Sequence, residues 1–253
     1  MERPNVPTPF FLTTFIVACG ASTLGCGGGL PLLHSVQVLP PGRVSVGAGL
    51  SGQAVLQDLP NAIDTSEVNR EAEVQNKTIA PAVAPWVAAR VGITGSNEAG
   101  LAYSGRAIRL DARHAFSLNK KNSYALSIGL GGELLLLGRP QGNGQQPQSL
   151  LGGGVDVPFL FGWRSTAGIY SAWIGPRPGI SFVSGKLDDG TDFSARDTRI
   201  GFVAGLSVGF RQVHVAMELG GAFHFVDADV AKTLQVDFNQ FTLTPAGALV
   251  LTF

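Results

Sequence analysis

The stretch Val213-His-Val-Ala-Met-Glu-Leu-Gly-Gly-Ala-Phe-His-Phe-Val226 decides the fold class. Its odd positions, from Val213 to Phe225, are apolar or Gly, and its even positions, up to His224, are polar or small. A period of two is typical of a β-strand that has one apolar face and one polar face. The same alternation recurs from Gln240 to the last residue, Phe253. The sequence therefore predicts an all-β protein built from amphipathic strands.

Composition favours strands embedded in a membrane over a soluble domain. Of 253 residues, 34 are Gly and only 14% are charged, whereas a typical soluble domain has about 25% charged residues. Outside the first residues, no stretch approaches the ~18–20 apolar residues that a membrane helix needs. The net charge is zero, so the basic excess of a nucleic-acid-binding domain is missing and no nucleic-acid partner is expected. These features together predict a transmembrane β-barrel.

The first 41 residues are expected to form an export signal followed by a linker. Residues 1–18 contain Arg3 followed by an apolar run that ends in Ala18, which predicts a secretory signal peptide. The residues Ile16-Val-Ala-Cys19 resemble a bacterial lipobox, which implies a lipid on Cys19, with Cys26 as the alternative. The competing interpretation is an ordinary signal peptide with an incidental Cys. Residues 19–41 are then expected to form a lipid-anchored or flexible periplasmic linker.

Loop lengths predict an up-and-down antiparallel barrel over residues 42–253. Transmembrane barrels have short turns on the periplasmic side and longer loops outside. The short connections lie at 95–99, 118–123, 165–167 and 211–212, and the long ones at 57–80, 139–150, 185–198 and 227–239. The alternation changes phase near Gly105, so two strands are expected between Gly100 and Ser117. We expect ten strands, with eight or twelve as the fallback.

Prolines and aromatic residues add two expectations about the barrel wall. A proline removes a donor from the strand ladder, so local bulges are expected at Pro158, Pro176, Pro178 and Pro245. Aromatic residues on the apolar face sort into two levels, as in the girdles of a transmembrane barrel. The periplasmic level contains Phe116, Tyr124, Trp163, Tyr170, Phe210 and Phe253, and the outer level contains Phe182, Phe202, Phe225 and Phe241.

The last strand carries a resemblance to a known class of proteins. Its alternating apolar residues, which end at the aromatic Phe253, resemble the signal by which the barrel-assembly machinery recognises Gram-negative outer-membrane proteins. These residues are Phe241, Leu243, Leu249, Leu251 and Phe253. The region from Arg43 onward resembles the small outer-membrane barrels, some of them lipidated. The resemblance implies a place in the outer-membrane lipid and an assembly route, but no activity and no particular partner protein.

Ionisable residues on the polar face are the candidate functional set. They are Arg90, Arg109, Asp111, Arg113, Glu133, Asp156, Arg164, Arg177, Arg211, His214, Glu218 and His224. They could line a basic polar channel, or they could pair and brace the barrel wall. Because side chains just fill an eight-stranded barrel and ten strands leave little more room, bracing is favoured.

No catalytic, cofactor or metal motif stands out in the sequence. Gly47–Gly52 fits GxGxxG, but the strand pattern continues through it and the helix that a dinucleotide site needs is not predicted. His214 and Glu218, four residues apart on a strand, would lie roughly 13 Å apart. The loop at 188–192 lacks the spacing of a calcium-binding loop. We therefore expect no enzyme activity, no cofactor and no metal.

Three functions are compatible with these predictions. The first is a structural or interaction protein of the outer membrane that displays acidic surface loops. The second is a narrow, weakly anion-selective pore. The third is a soluble ligand-binding β-barrel, which would require the apolar face to point inward.

Overall fold

The computed structural model describes residues 28–56, 65–105, 107–119, 123–135, 150–231 and 234–253. The predicted signal peptide, Cys19 and Cys26 lie outside these residues. The described chain forms a helix, α1 (Thr65–Thr78), and eleven strand segments. They are β1 (Val44–Val55), β2 (Ala82–Ile93), β3 (Asn97–Ser104), β4 (Ala107–Ser117), β5 (Tyr124–Leu135), β6 (Leu150–Asp156), β7 (Phe159–Arg164), β8 (Tyr170–Lys186), β9 (Asp192–Phe210), β10 (Val213–Val230) and β11 (Leu234–Thr252). Within these ranges, the helix is too short and too polar to cross a membrane.

The strands close into an antiparallel barrel of ten wall positions. Each strand pairs with its neighbours in the chain, and β11 pairs with β1 to close the ring. Segments β6 and β7 share one position, because both lie between β5 and β8. The phase change at Gly105 is a tight turn between β3 and β4, where Gly105 has a φ of 57°. The predicted up-and-down topology and the strand count are confirmed.

The predicted bulges at prolines are wrong. The registers of β8 with β9 and of β10 with β11 run without a skipped residue through Pro176, Pro178 and Pro245. At Pro158 the ladder is interrupted between β6 and β7, but both segments keep the same register against β5. Each proline therefore removes one hydrogen bond from the strand ladder, but no extra residue is inserted in either strand.

The wall is apolar outside, as predicted. Phe202, Leu206, Val215 and Leu219 are 45%, 43%, 52% and 46% exposed, whereas Glu218 is 5% exposed. Large exposed aromatic residues lie at both levels of the wall, including Phe116 and Tyr170 at the periplasmic end and Phe182 and Phe225 at the other. A closed barrel satisfies its backbone without water, and an apolar exterior requires lipid. The chain is therefore a transmembrane β-barrel, and the soluble alternative is excluded.

Four strands continue past the membrane on the outer side. Strands β8 to β11 have 17 to 19 residues, whereas about 9–11 residues span a bilayer. The regions 185–198 and 227–239, which we predicted to be long loops, are mostly strand, so that prediction is wrong. In β10 the polarity of the two faces is reversed beyond Phe225: Val226 and Val230 are buried, and Asp227 points outward. This reversal marks the level at which lipid gives way to water.

Helix α1 closes the outer end of the lumen. It lies within 57–80, where we predicted an unstructured loop. Its Val74 is fully buried against an apolar cluster that includes Leu187, Phe193 and Phe238 from the projecting strands. Lys77 forms an ion pair with Asp188 (3.0 Å), and burial raises the pKa of the nearby Glu73 carboxyl above its ordinary value. The helix therefore acts as a packed lid on this end of the barrel.

Candidate functional site

Residues 28–40, which we name the inner segment, run through the barrel lumen from the outer half to the periplasmic end. At the outer end of the segment, the carbonyl of Gly29 accepts hydrogen bonds from the hydroxyls of Ser51 and Ser104, both at 2.7 Å. At its periplasmic end, the Leu39 N–H donates a hydrogen bond to Glu98 at 2.8 Å, and the chain then continues into β1. We expected residues 19–41 to form a periplasmic linker. The described part of that region instead fills the lumen.

Glu218 is the main anchor of the inner segment. Its carboxylate accepts hydrogen bonds from the N–H groups of Leu32 (2.7 Å) and Leu33 (2.9 Å) and from Nε1 of Trp173 (3.0 Å). The predicted role for buried carboxylates was to neutralise an arginine, but this one is held by three neutral donors. Because a buried charge requires hydrogen bonds from its surroundings, the segment and Glu218 stabilise each other.

Two arginines bind the carbonyls that the inner segment exposes. Arg113 donates to the carbonyl of Ser35 at 2.5 Å, and Arg177 donates to the carbonyl of Leu30 at 2.5 Å.

The apolar side chains of the inner segment are also closely packed. On the periplasmic side of Glu218, the side chain of Val36 packs against Gly162 so closely that a larger residue at this glycine would collide with Val36. Leu32, Leu33 and Val36 are buried in an apolar cluster with Trp86 and Trp173. The segment is thus a packed part of the fold.

A continuous chain of ion pairs crosses one side of the lumen. It runs from Glu98 through Arg90, Asp111, Arg109 and Asp156 to Arg177. These six residues come from β2, β3, β4, β6 and β8. Arg109 joins Asp111 (2.5 Å) to Asp156 (2.6 Å) and is only 2% exposed. Charges that alternate in sign across neighbouring strands tie these strands together, which is the bracing arrangement that the sequence favoured.

His224 lies in a buried polar triad. Its Nδ1 is 3.0 Å from Asp197, and its Nε2 is 3.0 Å from the hydroxyl of Thr242. The sequence showed no catalytic motif around His224, but Asp197 on β9 and Thr242 on β11 both reach it. A carboxylate, an imidazole and a hydroxyl in this order can pass a proton from the hydroxyl. All three are less than 5% exposed, and the adjacent cavity of about 110 Å³ is too small for a polymer.

The structure brings most of the predicted interior residues together in the lumen. Arg90, Arg109, Asp111, Arg113, Asp156, Glu218 and His224 are buried, and the half-buried Glu133 and Arg177 are also in ion pairs. Arg164 and His214 lie at the periplasmic mouth. Arg211 was predicted to lie inside the barrel, but it is exposed on the β9–β10 turn at the rim of the periplasmic mouth, with its guanidinium 5.3 Å from the centre of the Phe210 ring.

Sequence reasoning missed several functional residues. Glu98, which pairs with both Arg90 and Arg113, was assigned to a turn, although it is the second residue of β3. Asp197 fell in the predicted loop 185–198, and Arg199 was not among the predicted interior residues, yet Arg199 forms a 2.8 Å ion pair with Glu133 in the lumen. Within the described ranges, no three His, Cys, Asp or Glu side chains are grouped closely enough to hold a metal ion.

The residues of the proposed assembly signal lie on the strand that closes the barrel. Leu249 and Phe253 are exposed on the outer wall at 43% and 57%, and Phe241, Leu243 and Leu251 are partly buried there. Strand β11 pairs with β1 from Val55 down to Ser45, so this segment forms the seam of the barrel.

Comparisons with known proteins find similar barrels at low identity. No family model matches the sequence, and no curated protein is similar to it. Among solved structures, Neisserial surface protein A has 9% identity over 83% of this chain and 96% of its own, with a TM-score of 0.39. Ail, the attachment invasion locus protein of Yersinia pestis, has 11% identity over 85% and 100%, with a TM-score of 0.38. The outer membrane protease OmpT from Escherichia coli has 9% identity over 87% and 100%, with a TM-score of 0.41.

These scores are too low to transfer a residue or an activity to this chain. The placement rests instead on its own wall, which is closed, antiparallel and apolar outside. Closed strand barrels with short turns at one end and extended hairpins at the other belong to the outer membrane of Gram-negative bacteria. The chain is an outer-membrane β-barrel.

Proposed function

We propose that this barrel is a non-conducting structural or interaction protein that presents its projecting strands at the cell surface. The observation that carries the proposal is the inner segment, which occupies the lumen along its length. Glu218, Arg113 and Arg177 hold its backbone, and helix α1 packs over the outer end. A barrel built for transport would leave this path open to water.

The small cavities that remain in the lumen also favour a non-conducting barrel over a pore. One cavity, of about 110 Å³, is lined by Gly28–Pro31, and another, of about 330 Å³, is lined by Leu32–Pro40. The inner segment therefore divides the free space in the lumen between two levels. The lumen arginines that could favour anions, Arg90, Arg109 and Arg177, are each matched by a carboxylate. A weakly anion-selective pore is the less favoured alternative.

The parts of strands β8 to β11 that extend beyond the membrane form the surface that a partner protein would contact. The β8–β9 and β10–β11 hairpins point Asp188, Asp189, Asp192, Asp227 and Asp229 away from the core, and the exposed cations beside these five carboxylates are Arg70, Lys186 and Arg196. Such a surface favours a partner with a complementary basic patch. The buried His224 triad has no comparable access, so we propose that it joins β9, β10 and β11 rather than acting in catalysis.

Planar-bilayer recording tests the proposal. Purified protein, whose insertion is first verified by vesicle flotation, is expected to give no stable conductance steps across a range of ionic strengths. A matched variant in which Leu32, Leu33 and Val36 are changed to Ser loses the apolar anchors of the inner segment and is expected to produce steps. Stable steps with anion preference from the unmodified protein would reject the proposal in favour of the pore.

A further inference from the structure

The second lumen cavity, at the periplasmic end, has the features of a ligand site. Its volume of about 330 Å³ lies between the inner segment and the wall formed by β1 to β4 and β7 to β11. Pockets for small ligands start at about this size. Its lining is mixed: Leu33, Val38, Trp86 and Val250 contribute apolar surface, and arginine, serine and histidine side chains contribute polar surface. The cavity therefore combines a concave shape with both apolar and polar contacts.

Three arginines surround this cavity without a carboxylate partner. Arg43, Arg164 and Arg211 line it, and none of them takes part in an ion pair with another described residue. Deeper in the lumen the pattern is different, since Arg90 and Arg113 share Glu98. Glu98 is the one acidic side chain in the described lining, and its charge is already matched. The mouth thus carries an excess of about three positive charges.

Buried polar atoms beside the cavity also lack partners. Nε1 of Trp86 and Oε1 of Gln37 have no hydrogen-bond partner among the described residues, and Trp86 is 3% exposed. Both residues line the cavity. Because a buried indole N–H ordinarily finds an acceptor, a ligand that brings an acceptor oxygen would supply the partner that Nε1 of Trp86 lacks.

We propose that the periplasmic cavity binds a phosphate group through Arg43, Arg164 and Arg211. Guanidinium groups match phosphate with paired N–H donors, and a phosphate offers three acceptor oxygens to three arginines. Two sources share this chemistry. A soluble phosphate ester would enter from the periplasm, whereas an anionic phospholipid of the inner leaflet would reach the rim from the side.

The two sources are separated by two binding measurements on the purified barrel. Soluble glycerol 3-phosphate is titrated while tryptophan fluorescence is followed, since Trp86 lines the cavity. Retention of phosphatidylglycerol over phosphatidylcholine is measured by native mass spectrometry. The rim variant carries Arg43→Gln, Arg164→Gln and Arg211→Gln, and the control removes three cations at the outer end by Arg70→Gln, Lys186→Gln and Arg196→Gln.

The rim variant is expected to bind the phosphate ligand at least about tenfold more weakly, and the control is expected to match the unmodified protein. Glycerol 3-phosphate binding that is lost in the rim variant assigns the soluble source, and selective loss of phosphatidylglycerol assigns the lipid. If the triple variant does not fold, Arg43→Gln alone, at an exposed position, is expected to weaken binding about threefold. No binding in either arm, or equal loss in the rim and control variants, would overturn the proposal.

Discussion

Changing Glu218 to alanine is expected to lower the free energy of unfolding by about 3 kcal/mol or more. The carboxylate is 5% exposed and accepts three hydrogen bonds, two of them from the backbone of the inner segment. Without it, the N–H groups of Leu32, Leu33 and Trp173 stay buried without partners, and each unmet donor costs about 1–3 kcal/mol. Urea unfolding in detergent micelles, followed by tryptophan fluorescence, measures the change.

Glu218→Gln is the matched control for this prediction. It keeps one acceptor oxygen at the same place, so it is expected to cost less, about 1–2 kcal/mol. An alanine variant as stable as the unmodified protein would show that Glu218 does not anchor the inner segment.

Changing Arg109 to methionine is expected to destabilise the barrel by about 3–5 kcal/mol. Arg109 is 2% exposed and joins Asp111 to Asp156, so its loss leaves both buried carboxylates short of positive charge. Methionine retains much of the side-chain volume, which limits the contribution from an empty cavity. The same urea titration measures the effect.

Arg196→Met provides the comparison at the surface. Arg196 pairs with Asp227 at 2.5 Å, but the two side chains are 56% and 48% exposed. Solvent screens an exposed pair, so a loss below about 1 kcal/mol is expected. Equal losses in the Arg109 and Arg196 variants would mean that the ion-pair chain does not brace the wall.

Strand periodicity predicted the membrane wall because lipid imposes one rule along the whole strand. Residues such as Val215 and Leu219 must face outward wherever hydrocarbon surrounds the barrel, and the pattern shows this without any knowledge of neighbours. Beyond Phe225 the same two-residue period continues with reversed polarity, because water replaces lipid outside. The pattern of outward apolar residues therefore stops near Phe225, and the parts of the strands beyond the membrane were interpreted as loops.

The inner segment was missed because its conformation depends on distant residues. Between Gly28 and Pro40 the Gly and Pro content suggested a linker. Leu30, Leu32, Leu33, Val36 and Val38 gave a signal against that interpretation, since a solvated tether rarely carries so many apolar residues. Its partners, Glu218 and Arg177, are more than 140 residues away along the chain.

The sequence predicted that charged residues inside the barrel form ion pairs, but it did not predict which residues pair with each other. Apolar alternation placed Arg109 and Asp156 on the inner face, but only the strand register shows that they meet. Glu98 was not predicted as an interior residue, because a turn and the first residues of a strand have similar composition.

Disulfide trapping of the inner segment tests the central claim, that residues 28–40 fill the lumen, most directly. In a background with Cys19 and Cys26 changed to Ser, one variant carries Val36→Cys with Gly162→Cys, and a second carries Gly29→Cys with Thr244→Cys. In the first variant, the change at position 36 removes the Val36 methyl group that would collide with a side chain at position 162. The Cβ positions of these pairs lie 3.0 and 3.1 Å apart, close to the about 3.5–4.5 Å of a disulfide. The mismatched pair, Val36→Cys with Thr244→Cys, is the control, because it leaves both glycines unchanged.

Mild oxidation of the assembled barrel, followed by mass spectrometry of the cross-linked peptides, is expected to show efficient linkage in both matched pairs and little in the mismatched one. Linkage at both levels would place the segment inside the barrel from its outer half to its periplasmic end. Matched pairs that link no more than the mismatched pair would contradict a filled lumen.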